Sequence, residues 1–318
     1  MSKKISRREF IKSTAGIVYA TGTISAFQSI ESELLAGEPE KKPDLSVVKS
    51  ASPEKGVTSA IEAIGGISKF VKSNDVVIIK PNMAFPNPPD WGSTTSPKVV
   101  VTVVRLCLDA GAKSVLVIDN PMDRPEQCLQ RTGIADEIKK LGSDKVKIMM
   151  ATEQRDYVEV KLEKAKSLEK TNVHKLLLRA NAFINIPVAK SHSATTVSFG
   201  MKNLMGLIWD RGYLHQSIDL HQGIADLCTF IKPNLIIMDA TRALVTKGPT
   251  GPGMTVKPEI IITGTDQVAV DSYTLSLSSW NGRTYNPVDV KHIALANALK
   301  VGEMNLDKLN VNYLRLKS

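Results

Sequence analysis

The apolar positions of this chain fall into short unbroken runs separated by amphipathic stretches. Val76-Val77-Ile78-Ile79 is a continuous β-branched run, and Val115-Leu116-Val117-Ile118 is a second. Such runs predict strands buried on both faces, because a half-exposed strand would alternate. Between them, Ser96-Pro97 opens a helix as N-cap and first helical position, and Gly111 stops it. Strand, loop, helix and strand over residues 76–118 make a βαβ unit, so the two strands are predicted parallel.

The pattern continues along the chain. Apolar residues at 57, 60, 61, 64, 67, 70 and 71 have helical spacing and predict a helix over 57–72. Further helices are predicted at 125–131, 134–141, 173–179, 217–232, 267–278 and 288–300. Strands are predicted at 146–150, 157–162, 182–188, 235–238 and 260–262, the second of these alternating like an edge strand. The alternation of types predicts an α/β fold, a largely parallel sheet with flanking helices in Rossmann-like layers.

Composition narrows the class. Of 318 residues, 42% are hydrophobic and 23% charged, which are globular values. The three cysteines, Cys107, Cys128 and Cys228, form no C-x-x-C pair. A disulfide scaffold is excluded and no iron–sulfur cluster is expected. Lysine and arginine exceed the acids by 41 to 32. With aromatics at 5%, stacking on single strands is disfavoured and no nucleic-acid partner is expected.

The N-terminus reads as an address. Ser6-Arg7-Arg8-Glu9-Phe10-Ile11-Lys12 resembles the twin-arginine signal, and a weakly apolar stretch over 15–27 follows it. That stretch falls short of the ~20 residues that span a bilayer. Leu34 sits at the −3 position of a cleavage after Ala36, where a small residue is wanted, so an uncleaved anchor stays open beside cleavage. The reading is a signal over 1–36, a linker over 37–44 and one α/β domain over 45–318. The resemblance implies the twin-arginine translocation machinery as partner and a periplasmic or other extracytoplasmic location. It implies no stable membrane span unless the signal stays uncleaved. Through Ala36 the signal carries five basic residues and three acids, so its removal takes +9 to +7.

Polar residues collect where the strands are predicted to end: Lys80 and Asn82, Asp119 and Asn120, Lys190 and His192, Asp239, and Asp266. Open parallel sheets bind ligands beyond the carboxyl ends of their strands. The densest segment, 186–210, holds Lys190, His192, Thr195, Thr196, Lys202 and Asn203 between glycines and apolar flanks. Lysines, a histidine and hydroxyls suit a small carboxylate or phosphate. Lys80, Asn82, Lys190, Thr195 and Asn203 are therefore candidate substrate-binding residues. His192, Lys202, Asp239 and Asp271 are candidate catalytic groups. His192, His215 and His221 are candidate ligands for a divalent metal, although 215 and 221 diverge on one helix. No P-loop, dinucleotide fingerprint or G-x-S-x-G elbow is present.

Several motifs, in order, resemble the domain of unknown function 362 family. They are I-I-K-P-N at 78–82, G-A-K-S-V-L-V-I-D at 111–119, F-I-N-I-P-V-A-K-S-H at 183–192 and M-K-N-L-M-G at 201–206. L-H-Q-G-I-A-D-L at 220–227, K-P-N-L-I-I-M-D-A at 232–240 and D-Q-V-A-V-D at 266–271 continue the resemblance. It implies a fold and a site but no reaction. Many relatives carry a ferredoxin module whose cysteines are missing here. The expectation is an exported enzyme acting on a small anion by proton abstraction next to a carboxylate, isomerisation or metal-assisted hydrolysis. The alternatives are a non-catalytic binding protein for a metal or organic anion, or a redox-accessory protein.

Overall fold

A computed structural model describes residues 3–4 and 43–317, so the twin-arginine segment and most of the predicted linker lie outside the described residues. The strands, in chain order, are β1 (Lys3–Lys4), β2 (Leu45–Lys49), β3 (Val76–Pro81), β4 (Ser114–Asp119) and β5 (Val146–Met150). Then come β6 (Tyr157–Lys161), β7 (Lys170–His174), β8 (Ala182–Ile186), β9 (Val188–His192) and β10 (Thr196–Ser198). The last are β11 (Leu235–Leu244), β12 (Thr255–Val256), β13 (Ile260–Gly264) and β14 (Val311–Arg315).

The main sheet runs β1-β14-β2-β13-β11-β8-β3-β4-β5. From β11 through β5 every neighbour is parallel. The β-branched runs of β3, β8 and β11 lie inside this block and are buried on both faces, as their composition requires. β13 is antiparallel to both β11 and β2. A continuous apolar run such as Ile260-Ile261-Ile262 carries no information about direction, and this reversal was not legible in it.

Helices cover both faces. On one side α1 (Pro53–Ala63), α2 (Pro97–Asp109), α3 (Pro125–Arg131) and α4 (Ile134–Lys139) follow the strands of the first half. Ile61, Val100, Val104 and Ile134 pack there against Val77, Ile79, Val117 and Ile237. Later come α5 (Lys175–Arg179), α6 (Gly200–Asn203), α7 (Arg211–Gln216), α8 (Leu220–Phe230), α9 (Gln267–Leu275) and α10 (Lys291–Ala298). Leu204, Ile224, Leu227, Val268 and Ile293 pack on the opposite face with Ile78, Phe183 and Met238. Removing roughly 25 cal/mol per Å² of apolar surface from water drives both layers together.

Local departures from the sequence expectations have local causes. The helix predicted over 57–72 ends at Ala63, because Gly65 and Gly66 adopt φ of 110° and 79°. Ser96 precedes α2 but caps no amide with its hydroxyl, and its own N–H donates to Asp239 instead. The strand at 157–161 pairs with β7 in a separate two-stranded sheet. Cys128, in a polar helix, is fully buried.

Candidate active site

Pro187 interrupts the strand predicted over 182–188. It has no N–H to continue a ladder. The chain leaves β8, which pairs with β3, and continues as β9 along β11 past a register shift. β9 then folds back on β10 as a hairpin. This brings Lys190 and His192 over the carboxyl end of β3. α6 follows and brings Lys202 and Asn203 to the same place.

Asp271 fixes α6. Its carboxylate accepts the N–H groups of Gly200 at 2.8 Å and Met201 at 3.0 Å, the first amides of that helix. A Cβ at residue 200 would sit 2.8 Å from an Asp271 oxygen, so the close approach requires glycine. Desolvation pushes the Asp271 carboxyl up to about 7, against those two hydrogen bonds. Gly206 allows a second close approach. A Cβ there would overlap Asp119 and the end of Lys80.

Asn203 is the hub beneath the site. Its carbonyl oxygen accepts from Lys80 Nζ and Asn82 Nδ2, each at 3.0 Å, and its amide donates to Asn185 at 2.8 Å. Lys80 Nζ is complete. It donates to Pro81 O at 2.7 Å and to Asn203, and it pairs with Asp119 at 2.8 Å. Asp119 also accepts the Met83 N–H at 2.7 Å. Burial lowers the Lys80 pKa and Asp119 opposes that shift.

Above this network lies a cavity of about 90 Å³, room for a ligand of several non-hydrogen atoms. Its walls include Lys80, Asn82, Phe85, Asp119, Lys190, His192, Ser198, Lys202, Asn203, Arg211 and His215. Lys190 Nζ donates to Asn82 Oδ1 at 3.1 Å and Ser93 O at 2.6 Å, and lies 5.1 Å from the Phe85 ring centroid. Desolvation lowers it to about 7, with Lys80 and Lys202 adding repulsion and Asp119 opposing. Among the described residues Lys202 Nζ meets only the thioether of Met205, at 3.2 Å, and burial and Arg211 lower it to about 8. Arg211 spends three of its N–H bonds on Asn120 and Pro121. The remaining donors have no partner among the described residues.

His192 has a defined protonation state. Its Nδ1 accepts the Ala194 N–H at 3.0 Å, so the ring proton resides on Nε2. Burial, then Lys202 and Lys190, hold its pKa down to about 3. His192 therefore enters the cavity as a neutral hydrogen-bond donor.

The structure thus brings Lys80, Asn82, Lys190, His192, Lys202, Asn203 and His215 together, as the sequence suggested, and separates four other candidates. Asp239 follows Leu235 and Ile237 in the alternation of β11 and faces the α1–α2 layer. There it accepts from Ser96 N at 2.7 Å and from Thr241 N and Oγ1 at 3.0 and 2.6 Å. Asp271 clamps α6 from beneath. The Thr195 hydroxyl donates to Val197 O at 3.0 Å within a turn. The His221 ring stacks 5.7 Å from His292. Among the described residues no three His, Cys, Asp or Glu side chains converge as a metal site. Asp266, at the end of reversed β13, caps α9 by accepting from Val268 and Ala269 at the opposite edge of the sheet.

Sequence reasoning missed Arg211 and did not choose Asp119 as a site residue. Arg211 had one signal: a cation in the first turn of a helix runs against the helix dipole. In the loop at 248–253, Gly248 N–H donates to Ser191 Oγ at 3.1 Å. The loop contributes Pro249 to the cavity wall.

Comparisons with known proteins follow this geometry. A thylakoid-associated protein of Synechocystis is 26% identical over 217 residues, which cover 64% of this chain and 65% of that protein. The chain thus spans about two thirds of that relative's length. Among solved structures, the lactate racemase apoprotein of Thermoanaerobacterium thermosaccharolyticum is 13% identical with a TM-score of 0.41. That match covers 72% of this chain and 58% of the other. A protein from Thermotoga maritima is 15% identical with a TM-score of 0.38, covering 58% of this chain and 49% of the other. The family model for a domain of unknown function, DUF362, matches residues 77–276, from β3 through the end of α9 and including every residue of the cavity network described above. The chain belongs to the DUF362 family.

Proposed function

We propose that this protein is an enzyme acting on a small organic anion by proton transfer next to a carboxylate. One observation carries the reading. Lys202, Arg211 and the His192 Nε2–H converge on one cavity with donors to spare, while the one carboxylate lining it among the described residues, Asp119, is already held by Lys80. Such a cavity lacks a counter-charge, and an anionic ligand supplies it. Lys202 and Arg211 hold the carboxylate, and His192 donates to the oxygen where charge develops. Asp119 is paired and His192 holds no free lone pair for a proton. The proton acceptor is therefore a lysine amine, and both Lys190 and Lys202 titrate near the operating range.

Calorimetric titration with acetate, glycolate, pyruvate, succinate and inorganic phosphate tests binding. At least one must bind to the wild type and lose tenfold or more affinity in Lys202→Met. If none binds, the reading fails. The N-terminal Ser6–Lys12 pattern further supports export through the twin-arginine pathway to an extracytoplasmic location. Replacing Arg7 and Arg8 together by lysine should leave the protein in the cytoplasmic fraction. Equal export of that variant would remove the proposal.

A further inference from the structure

Resting on this anion-site reading, we propose that Lys190 is a nucleophile that forms an imine with a small 2-oxo carboxylate. Three buried lysines line this one cavity, and their surroundings differ. Lys80 has its three donors occupied and a carboxylate at ion-pair distance. Lys202 lies beside Arg211 and faces a thioether. Lys190 is as buried as Lys80, but among the described residues no carboxylate lies within ion-pair distance of it. Its two oxygen partners, Asn82 Oδ1 and Ser93 O, match the two N–H bonds of a neutral amine. The third direction around the nitrogen, where a neutral amine carries its lone pair, has no oxygen acceptor. The Phe85 ring beside it keeps the amine out of bulk water. An amine that is desolvated and set among other cations is the arrangement that activates lysine as a nucleophile.

The remaining walls fit the rest of such a substrate. A 2-oxo carboxylate presents an anion to Lys202 and Arg211 and a carbonyl oxygen to the His192 Nε2–H. The Lys190 lone pair forms the new C–N bond as the carbonyl π pair moves to oxygen. Two protons reach that oxygen, one from the amine and one from solvent, and water leaves. The product is a protonated imine, which keeps one N–H for the Ser93 carbonyl. No oxidant or reductant is required, and the positive nitrogen then acidifies the adjacent C–H bonds, whose proton the Lys202 amine accepts while Arg211 keeps the carboxylate.

The full chain is incubated with pyruvate and sodium cyanoborohydride and its intact mass is read. The reduced adduct adds the mass of pyruvate less one oxygen atom, and peptide mapping places it. One adduct per chain at Lys190, absent in Lys190→Arg and suppressed by excess acetate, is the expected result. Labelling must rise through pH about 7, well below the titration of surface lysines near ~10.4. Labelling spread over exposed lysines, or none while pyruvate still binds by calorimetry, overturns the imine and leaves the anion site standing. Loss of both labelling and binding of every anion overturns the two readings together. Labelling retained in Lys190→Arg but lost in Lys202→Met reassigns the nucleophile and also overturns the proposal.

Discussion

The carboxyl edge of the sheet holds two polar clusters, one on each face, and they differ in whether their hydrogen bonds are complete. On the α1–α2 face, Asp239 is surrounded by donors: both of its oxygens accept, from Ser96 and Thr241. On the α6–α7 face, Lys202 and Arg211 keep N–H groups that nothing among the described residues accepts. Buried polar groups are normally satisfied, since an unsatisfied one costs roughly 1–3 kcal/mol. Completed acids therefore read as architecture, and leftover donors read as a place for something else. Asp271 and Asp226 follow the first pattern. Asp226 accepts three consecutive backbone N–H groups from residues 166–168.

The contrast can be broken at several points. The largest effect should come from Asp119→Ala, which strands the Lys80 ammonium in the interior. Breaking a buried pair costs about 3–5 kcal/mol, read as the shift in urea midpoint at unchanged m-value. A loss under 1 kcal/mol would show that the pair does not hold the floor of the cavity. Asp239→Ala should cost about 2 kcal/mol by orphaning the Ser96 and Thr241 amides. Anion affinity in that variant should stay within twofold of wild type. Abolished binding in a stable Asp239→Ala protein would place that carboxylate back in the site.

Lys202→Met should do the reverse, weakening anion binding at least tenfold, about 1.4 kcal/mol, without loss of stability. Its pH signature has a definite sign. Lys190 and Lys202 have folded-state values of about 7 and about 8, below the unfolded value near ~10.4. The folded chain therefore binds fewer protons than the unfolded chain across that window, and wild-type stability rises with pH between them. Lys202→Met should flatten the rise above pH 8. The smallest effect concerns His192. With its pKa held near 3, His192 should contribute no inflection to anion affinity between pH 5 and 7, so wild type and His192→Gln should have the same pH profile there. A step near 6.5 that vanishes in His192→Gln would mean that the imidazole titrates normally.

What the residues reveal without coordinates follows from what each signal encodes. The runs at 76–79, 115–118 and 235–238 located central strands because burial on both faces demands unbroken apolar sequence. The cluster at Lys80, Lys190, His192 and Lys202 was legible because basic residues between apolar flanks are pulled inward. Direction was not legible, so Asp266 was placed with the wrong strand ends. The orientation of side chains beyond a strand was not legible either. Asp239 and Asp271 looked like catalytic acids until their partners proved to be backbone amides. Arg211 was lost in a segment whose helix is only six residues long, too short to announce itself by periodicity.

The reversed strand has one further consequence, for the order in which the chain can become whole. β2, near the start of the folded domain, pairs Leu45 with Gly264 on one side and with Val311 on the other. Both partners are made long after Leu45, at Gly264 and Val311. The parallel block from β3 to β11 can assemble while the chain is still growing, but β2 must wait with both edges open. Pairings this distant in sequence form slowly, and open strand edges invite association with other chains. β2 is therefore among the first strands of the sheet to be made and the last to be paired.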